Sequence, residues 1–161
     1  MSIDRVREYM KPFGLDGKIL EFETSSATVE LAARAAGVIP ARIAKSLSFM
    51  LPDGPALIVA AGDAKVDNPR FKAQFHTKAR MLTREEVSSI IGHDVGGVCP
   101  FAIQPAARTW LDVSLRRFDT VFPACGSANS AIELTLPELE RLSGFEAWVD
   151  VCKNWREGEE A

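Results

Sequence analysis

The chain has 161 residues, 47% of them hydrophobic, with a net charge of -3 and two histidines. That length predicts one domain with a sizeable core, and the charge by itself argues against a nucleic-acid binder. The longest apolar runs fall far short of the ~20 residues that cross a bilayer, and MSIDRVREYM lacks the apolar stretch of a leader, so a soluble, cytosolic (cytoplasmic) protein with no membrane partner is expected.

In chain order, Ser2 can cap a first helix carrying Ile3, Val6 and Met10 on one side, and residues 12–17 break it. Residues 18–23 (KILEFE) read as a strand. Ser25 and Ser26 are the expected caps of a helix over 27–36, with Val29, Ala32, Ala33 and Ala36 on a small-residue face and Gly37 as its stop. Pro40 suits a brief helical turn leading into a strand over 44–51. The turn at 52–55 (PDGP) joins that strand to an apolar one over 56–61, forming a hairpin. Pro69 opens a helix with Phe71 and Phe75 buried and Arg70 and Lys72 outside. Thr83 and Glu86 have capping-box spacing for a helix that ends at Gly92.

Further strands are expected over 110–115, 120–124 and 130–134. A second capping box, Thr135 and Glu138, starts a helix that stops at Gly144. Residues 145–151 alternate like a last strand, and 152–161 read as a frayed acidic tail of a single domain spanning 1–161. Helices interspersed with hairpin-linked strands predict an α+β fold with a mixed, largely antiparallel sheet.

Within 44–51 a strand period of two puts Lys45 on the face of Leu47, Phe49 and Leu51, opposite Ala44, Ser46, Ser48 and Met50. An unpaired ammonium turned toward an apolar face needs a partner, a shifted pKa or a cavity. The alternative is a lysine at the strand's start that reaches back to water. A second constellation is the 94–102 loop, DVGGVCPFA. Gly96 and Gly97 can expose backbone N–H groups, Pro100 stiffens the far end, and such a loop suits an oxyanion hole or a carboxyl clamp. It matches neither phosphate-loop spacing nor a nucleophile elbow.

Cys99, Cys125 and Cys152 are widely spaced and read as free thiols, Cys99 lining a pocket, and both histidines, His76 and His93, as surface residues. No metal or cofactor is expected. Charge is uneven: nine Lys/Arg stand against three Asp between Arg34 and Arg84. A basic middle in an acidic chain can present one positive face to a polyanion, or it can be a scattered solvated surface.

The segment TSSATVELAARAAGV, then Ile43-Ala44-Lys45-Ser46-Leu47 opening a strand, then Gly96-x-x-x-Pro100, then Ala124-Cys125-Gly126-Ser127 before Ile132-Glu133-Leu134, resembles the YbaK and prolyl-tRNA-synthetase-associated editing-domain family over roughly residues 20–150. The resemblance implies a partly closed barrel surrounded by helices. It also implies an aminoacyl-tRNA deacylase acting in trans on misacylated tRNA, usually a proline tRNA carrying a smaller amino acid. Lys45, Gly96 and Gly97 are then the catalytic candidates, and Ser46, Val98, Cys99, Pro100, Gly126 and Ser127 the candidates for holding the ester and the tRNA 3′ end. Arg42, Lys65, Lys72, Lys78 and Arg80 are candidate phosphate contacts. The small residues Ala27, Ala44, Ser46 and Ala102 suggest a pocket for a small side chain. The implied partner is tRNA, with a synthetase as a further candidate, and monomer and homodimer both stay open. A binding module without turnover and a small-molecule esterase are the competing readings.

Overall fold

The computed structural model describes residues 2–158. Helix α1 (Ser2–Met10) buries Ile3, Val6 and Met10. Two short 3₁₀ turns follow, and the expected strand at 18–23 shrinks to β1 (Leu20–Glu21). Helix α2 (Val29–Ala36) begins two residues later than expected. Its cap is Thr28, whose side chain accepts from the Leu31 N–H at 3.2 Å, while the Ser25 hydroxyl accepts from Ala27 N.

The hairpin of β2 (Ile43–Leu51) and β3 (Gly54–Ala61) is the longest pairing, antiparallel over eight residue pairs from Ala44↔Ala61 to Leu51↔Gly54. After β4 (Lys65–Val66) come α3 (Asn68–Phe75) and α4 (Arg84–Glu86). The Thr83–Glu86 capping box forms, and α4 widens into a π-helical turn over Val87–Ile91 that ends at Gly92. The remaining elements are β5 (Arg108–Asp112), β6 (Thr120–Pro123), β7 (Ser130–Ala131), β8 (Leu134–Thr135), α5 (Leu136–Ser143), β9 (Trp148–Val149) and β10 (Cys152–Lys153). Where a fraying tail is expected from residue 152, β10 pairs with β4 and Trp155 donates to the Cys152 carbonyl at 3.1 Å; residues 159–161 lie outside the described residues.

The central sheet is mixed, in the order β8-β6-β2-β3-β5-β9, and curls into a half-barrel. The β2–β3 and β6–β8 pairs run antiparallel, while β6, β5 and β9 attach to their inner neighbours in parallel. One face of the hairpin carries Phe49 and Ile58 into the main core with α1, Phe71 of α3, and Leu139 and Leu142 of α5. Met50 and Leu57, on the other face, join Leu82, Val87 and Ile91 in a second cluster. Opposite residues of an antiparallel pair share a face, so Ser48, facing Leu57, lies on this second side, and Ser46 with it.

Candidate active site

Strand β2 changes partners along its outer edge. It pairs with β6 only at Ile43↔Phe122 and Ala44↔Pro123. The same edge is taken up again at Phe49↔Met81, where Leu82 N donates to Ser48 O at 3.0 Å and Met50 N donates to Arg80 O at 2.9 Å. Between these two attachments opens a cleft of about 240 Å³. Residues 43–48 form its floor. Ala27, Thr28 and Val29 at the start of α2 form one wall, Gly96 and Val98 another, and Ala124 with Ser130 and Ala131 a third. Met81 and Val95, both exposed, stand among its lining residues.

The Lys45 side chain follows Leu47 and Phe49 toward the core, as the strand period predicts, and is half-buried. Its Nζ donates to the Ala64 carbonyl and, at 3.4 Å, to that of Gly62. Burial pushes its pKa down, with Cys152, Asp63 and Glu30 as smaller opposing influences. Among the described residues no carboxylate lies within ion-pair distance of it. Gly62 is the tether that sequence reasoning missed. A Cβ there would stand 2.1 Å from the Pro40 carbonyl oxygen, so only glycine lets this turn approach and present its own carbonyl.

The two loop glycines separate. Gly96 lines the cleft, and its N–H has no partner among the described residues. Gly97 lies behind it. Its N–H donates to Asp94 O at 3.0 Å and its carbonyl accepts from Gly126 N at 3.0 Å, so it offers no free donor, and a Cβ on it would sit 2.6 Å from the Gly126 backbone. Val98 and Ser46 line the cleft. Pro100 and Ala102 instead border a separate hollow near Tyr9. Gly126 packs on Ser2, and the Ser127 hydroxyl is bonded to Asn129 and to Ser130 at 2.7 Å.

Cys99 is fully buried, its thiol pushed up to about 12 by desolvation, and it does not line the cleft. Cys125 and Cys152 are buried too, with burial raising both. His93, expected on the surface, is 1% exposed. Its Nδ1 meets the Ser2 hydroxyl and its Nε2 lies 2.7 Å from the Phe101 carbonyl, which makes Nε2 the protonated nitrogen of a neutral ring. Desolvation lowers its pKa. His76, by contrast, is exposed at the end of α3. Of the five basic candidates, Arg42 is tied to Thr120 and to Glu133 at 3.3 Å, and Arg80 to Glu86 at 3.2 Å. Lys65, Lys72 and Lys78 are exposed and, among the described residues, outside any ion pair.

Two hydroxyls on the cleft, those of Ser26 and Ser46, are shielded from solvent and lack a hydrogen-bond partner among the described residues. No carboxylate or imidazole lines it. Among the described residues no cluster of three or more His, Cys, Asp or Glu could hold a metal, and no helix is long and apolar enough to cross a membrane.

The aminoacyl-tRNA editing domain model matches residues 23–142, which takes in every wall of the cleft. The chain belongs to the aminoacyl-tRNA editing domain family. The chain is 54% identical over 156 residues to the uncharacterized protein YwhH of Bacillus subtilis (strain 168), covering 96% of this chain and 99% of that one. Among solved structures, a candidate trans-editing enzyme for prolyl tRNA synthetase superposes with a TM-score of 0.84 at 27% identity, over 99% of this chain and 98% of that one. A hypothetical protein of known structure gives a TM-score of 0.82 at 28% identity, over 92% and 99%. The editing-domain fold thus extends over the whole half-barrel.

Proposed function

We propose that the protein is an aminoacyl-tRNA deacylase that hydrolyses the ester of misacylated tRNA in trans, with a proline tRNA carrying a smaller amino acid as its substrate. The observation that carries this reading is the cleft at the break in the β2 edge. In an editing-family fold it is lined by Lys45, Gly96 and a wall of alanines and serines. Hydrolysis adds water to the ester carbonyl, builds charge on its oxygen, and expels the ribose oxygen, which takes a proton. The Gly96 N–H is a donor available to that oxygen, and one well-aimed donor is worth about 3 kcal/mol in such a site. The Lys45 ammonium, fixed by two carbonyls, adds positive potential from beneath. Since no carboxylate or imidazole lines the cleft, either hydroxide takes the proton of the attacking water, or the neighbouring ribose 2′-hydroxyl takes it while passing its own proton to the departing ribose oxygen.

Ala27, Ala44, Ala124 and Ala131 leave room for a small side chain. A single methylene is discriminated by only ~1–3 kcal/mol, so exclusion of the cognate residue rests on bulk. Lys65, Lys72 and Lys78 are the proposed phosphate contacts. A Lys45→Ala variant is expected to lose at least about 10²-fold in the rate of amino acid release while keeping its fold. Full activity in that variant would remove Lys45 from the mechanism.

A further inference from the structure

Strand β2 leaves one residue's backbone unanswered inside the cleft. The β2–β3 hairpin closes with a two-residue turn between Leu51 and Gly54, so Leu51, Phe49, Leu47 and Lys45 exchange N–H···O bonds with β3, and the residues between them point theirs to the other edge. Three contacts fix that parity. Met50 stands opposite Pro55, which has no N–H, and its own N–H goes outward to Arg80 O. The Ser48 carbonyl accepts from Leu82 on the same edge, and Ala44 pairs there with Pro123. Ser46 lies midway between these attachments. Its N–H and C=O therefore face the cleft, and no partner for either is found among the described residues. The Ser46 hydroxyl beside them is also unpartnered.

We propose that the aminoacyl group docks as a single added strand residue opposite Ser46. Its α-ammonium donates to the Ser46 carbonyl, and its acyl carbonyl accepts from the Ser46 N–H. The N–Cα–C=O unit of an amino acid has the spacing that a hydrogen-bonded antiparallel pair requires, and the gap is one residue wide. Paired this way, the side chain of an L-amino acid shares the face of the Ser46 side chain, among the small residues of the cleft, while a D-residue would project to the opposite face. The Ser46 N–H and the Gly96 N–H then form two donors for the carbonyl oxygen. This inference rests on the deacylase reading and names what the site recognises: a free α-amino group joined to an acyl carbonyl, rather than any acyl ester.

The test compares Ser46→Ala with a second protein carrying lactic acid at position 46. The two side chains are identical, and only the backbone N–H is replaced by an ester oxygen. Binding is read with a non-hydrolysable 3′-alanylamido adenosine and turnover with alanyl-tRNA. The N–H faces the cleft and not β3, so the ester form is expected to keep its fold, with a Tm lowered only by the weaker Lys45 carbonyl that pairs with Ala60. The ester form is expected to lose roughly 10²- to 10³-fold in turnover and to bind the amide analogue more weakly. Equal turnover and equal affinity in the two proteins would overturn the proposal. Wild-type protein supplies an independent arm. Replacing the alanyl group by propionyl, which lacks the amine, is expected to weaken binding about 10- to 100-fold, and D-alanyl is expected to bind more weakly than L-alanyl. Equal binding of all three would overturn it as well. Binding of the alanyl analogue without hydrolysis of any aminoacyl-tRNA would defeat the deacylase reading alone, whereas hydrolysis of alanyl-tRNA at equal rates by the amide and ester forms would defeat this docking and leave the deacylase reading standing.

Discussion

Lys45 lines the cleft while its ammonium is turned to the core face, answered by the carbonyls of Gly62 and Ala64 and by no carboxylate within ion-pair distance among the described residues. Two carbonyl dipoles offset part of the desolvation and leave the charge uncancelled, as the role proposed for it toward charge developing on the ester requires. Stability should therefore carry a signature of this site. The folded pKa lies below the ordinary 10.5 because burial disfavours the charged form. The resulting destabilisation is fully present below the folded value and fades as pH rises toward 10.5. Lys45→Met, which removes the charge and keeps the bulk, is expected to melt no lower than wild type at pH 7, and the gap in Tm should narrow on going to alkaline pH. A constant large loss in Tm at every pH would show that the lysine is structural. The inward face of Lys45 was legible in the sequence because alternation is local. The carbonyls that hold it were not, since Gly62 and Ala64 reach it only after the chain has turned back along β3.

At the scale of elements, the hairpin, the two capping boxes and the glycine stops at Gly37, Gly92 and Gly144 were readable, each being written within a few residues. The 96–100 loop was readable only as a unit. Its two glycines look alike in sequence, but packing against Gly126 turns one into a spacer and leaves the other at the cleft. His93 belongs to the same lesson. Ser2 is 91 positions away, and nothing local reveals that the ring pins α1 to the loop through Ser2 on one nitrogen and Phe101 on the other. Because the folded pKa of His93 is depressed by burial, its contribution is present above the unfolded value of 6.5 and is lost as pH falls through the folded value. Thermal melts between pH 7.5 and 5 should therefore show wild type losing more stability than His93→Gln, whose amide can keep a hydrogen bond without titrating. Parallel curves for the two proteins would contradict the assigned neutral ring.

For the whole molecule, the basic middle of the chain resolves into two kinds of charge. Arg42 and Arg80 are committed to carboxylates on their own surface, while Lys65, Lys72 and Lys78 remain available to a polyanion. Sequence counting could not separate them, since Glu133 lies 91 positions from Arg42. Removing the three lysines together is expected to weaken tRNA binding at low salt and to flatten the plot of log affinity against log salt by about 2 to 3 in slope. Removing Arg42 should cost stability instead. An unchanged salt slope in the triple lysine variant would place the tRNA on another face. The most direct measurement is the release of free amino acid from purified tRNAs, each charged with a different small amino acid, in the presence of the wild-type protein. Release well above the spontaneous rate is expected for at least one small amino acid on proline tRNA, and none from correctly charged prolyl-tRNA. Release no faster than the uncatalysed ester hydrolysis across the whole set would contradict the deacylase reading.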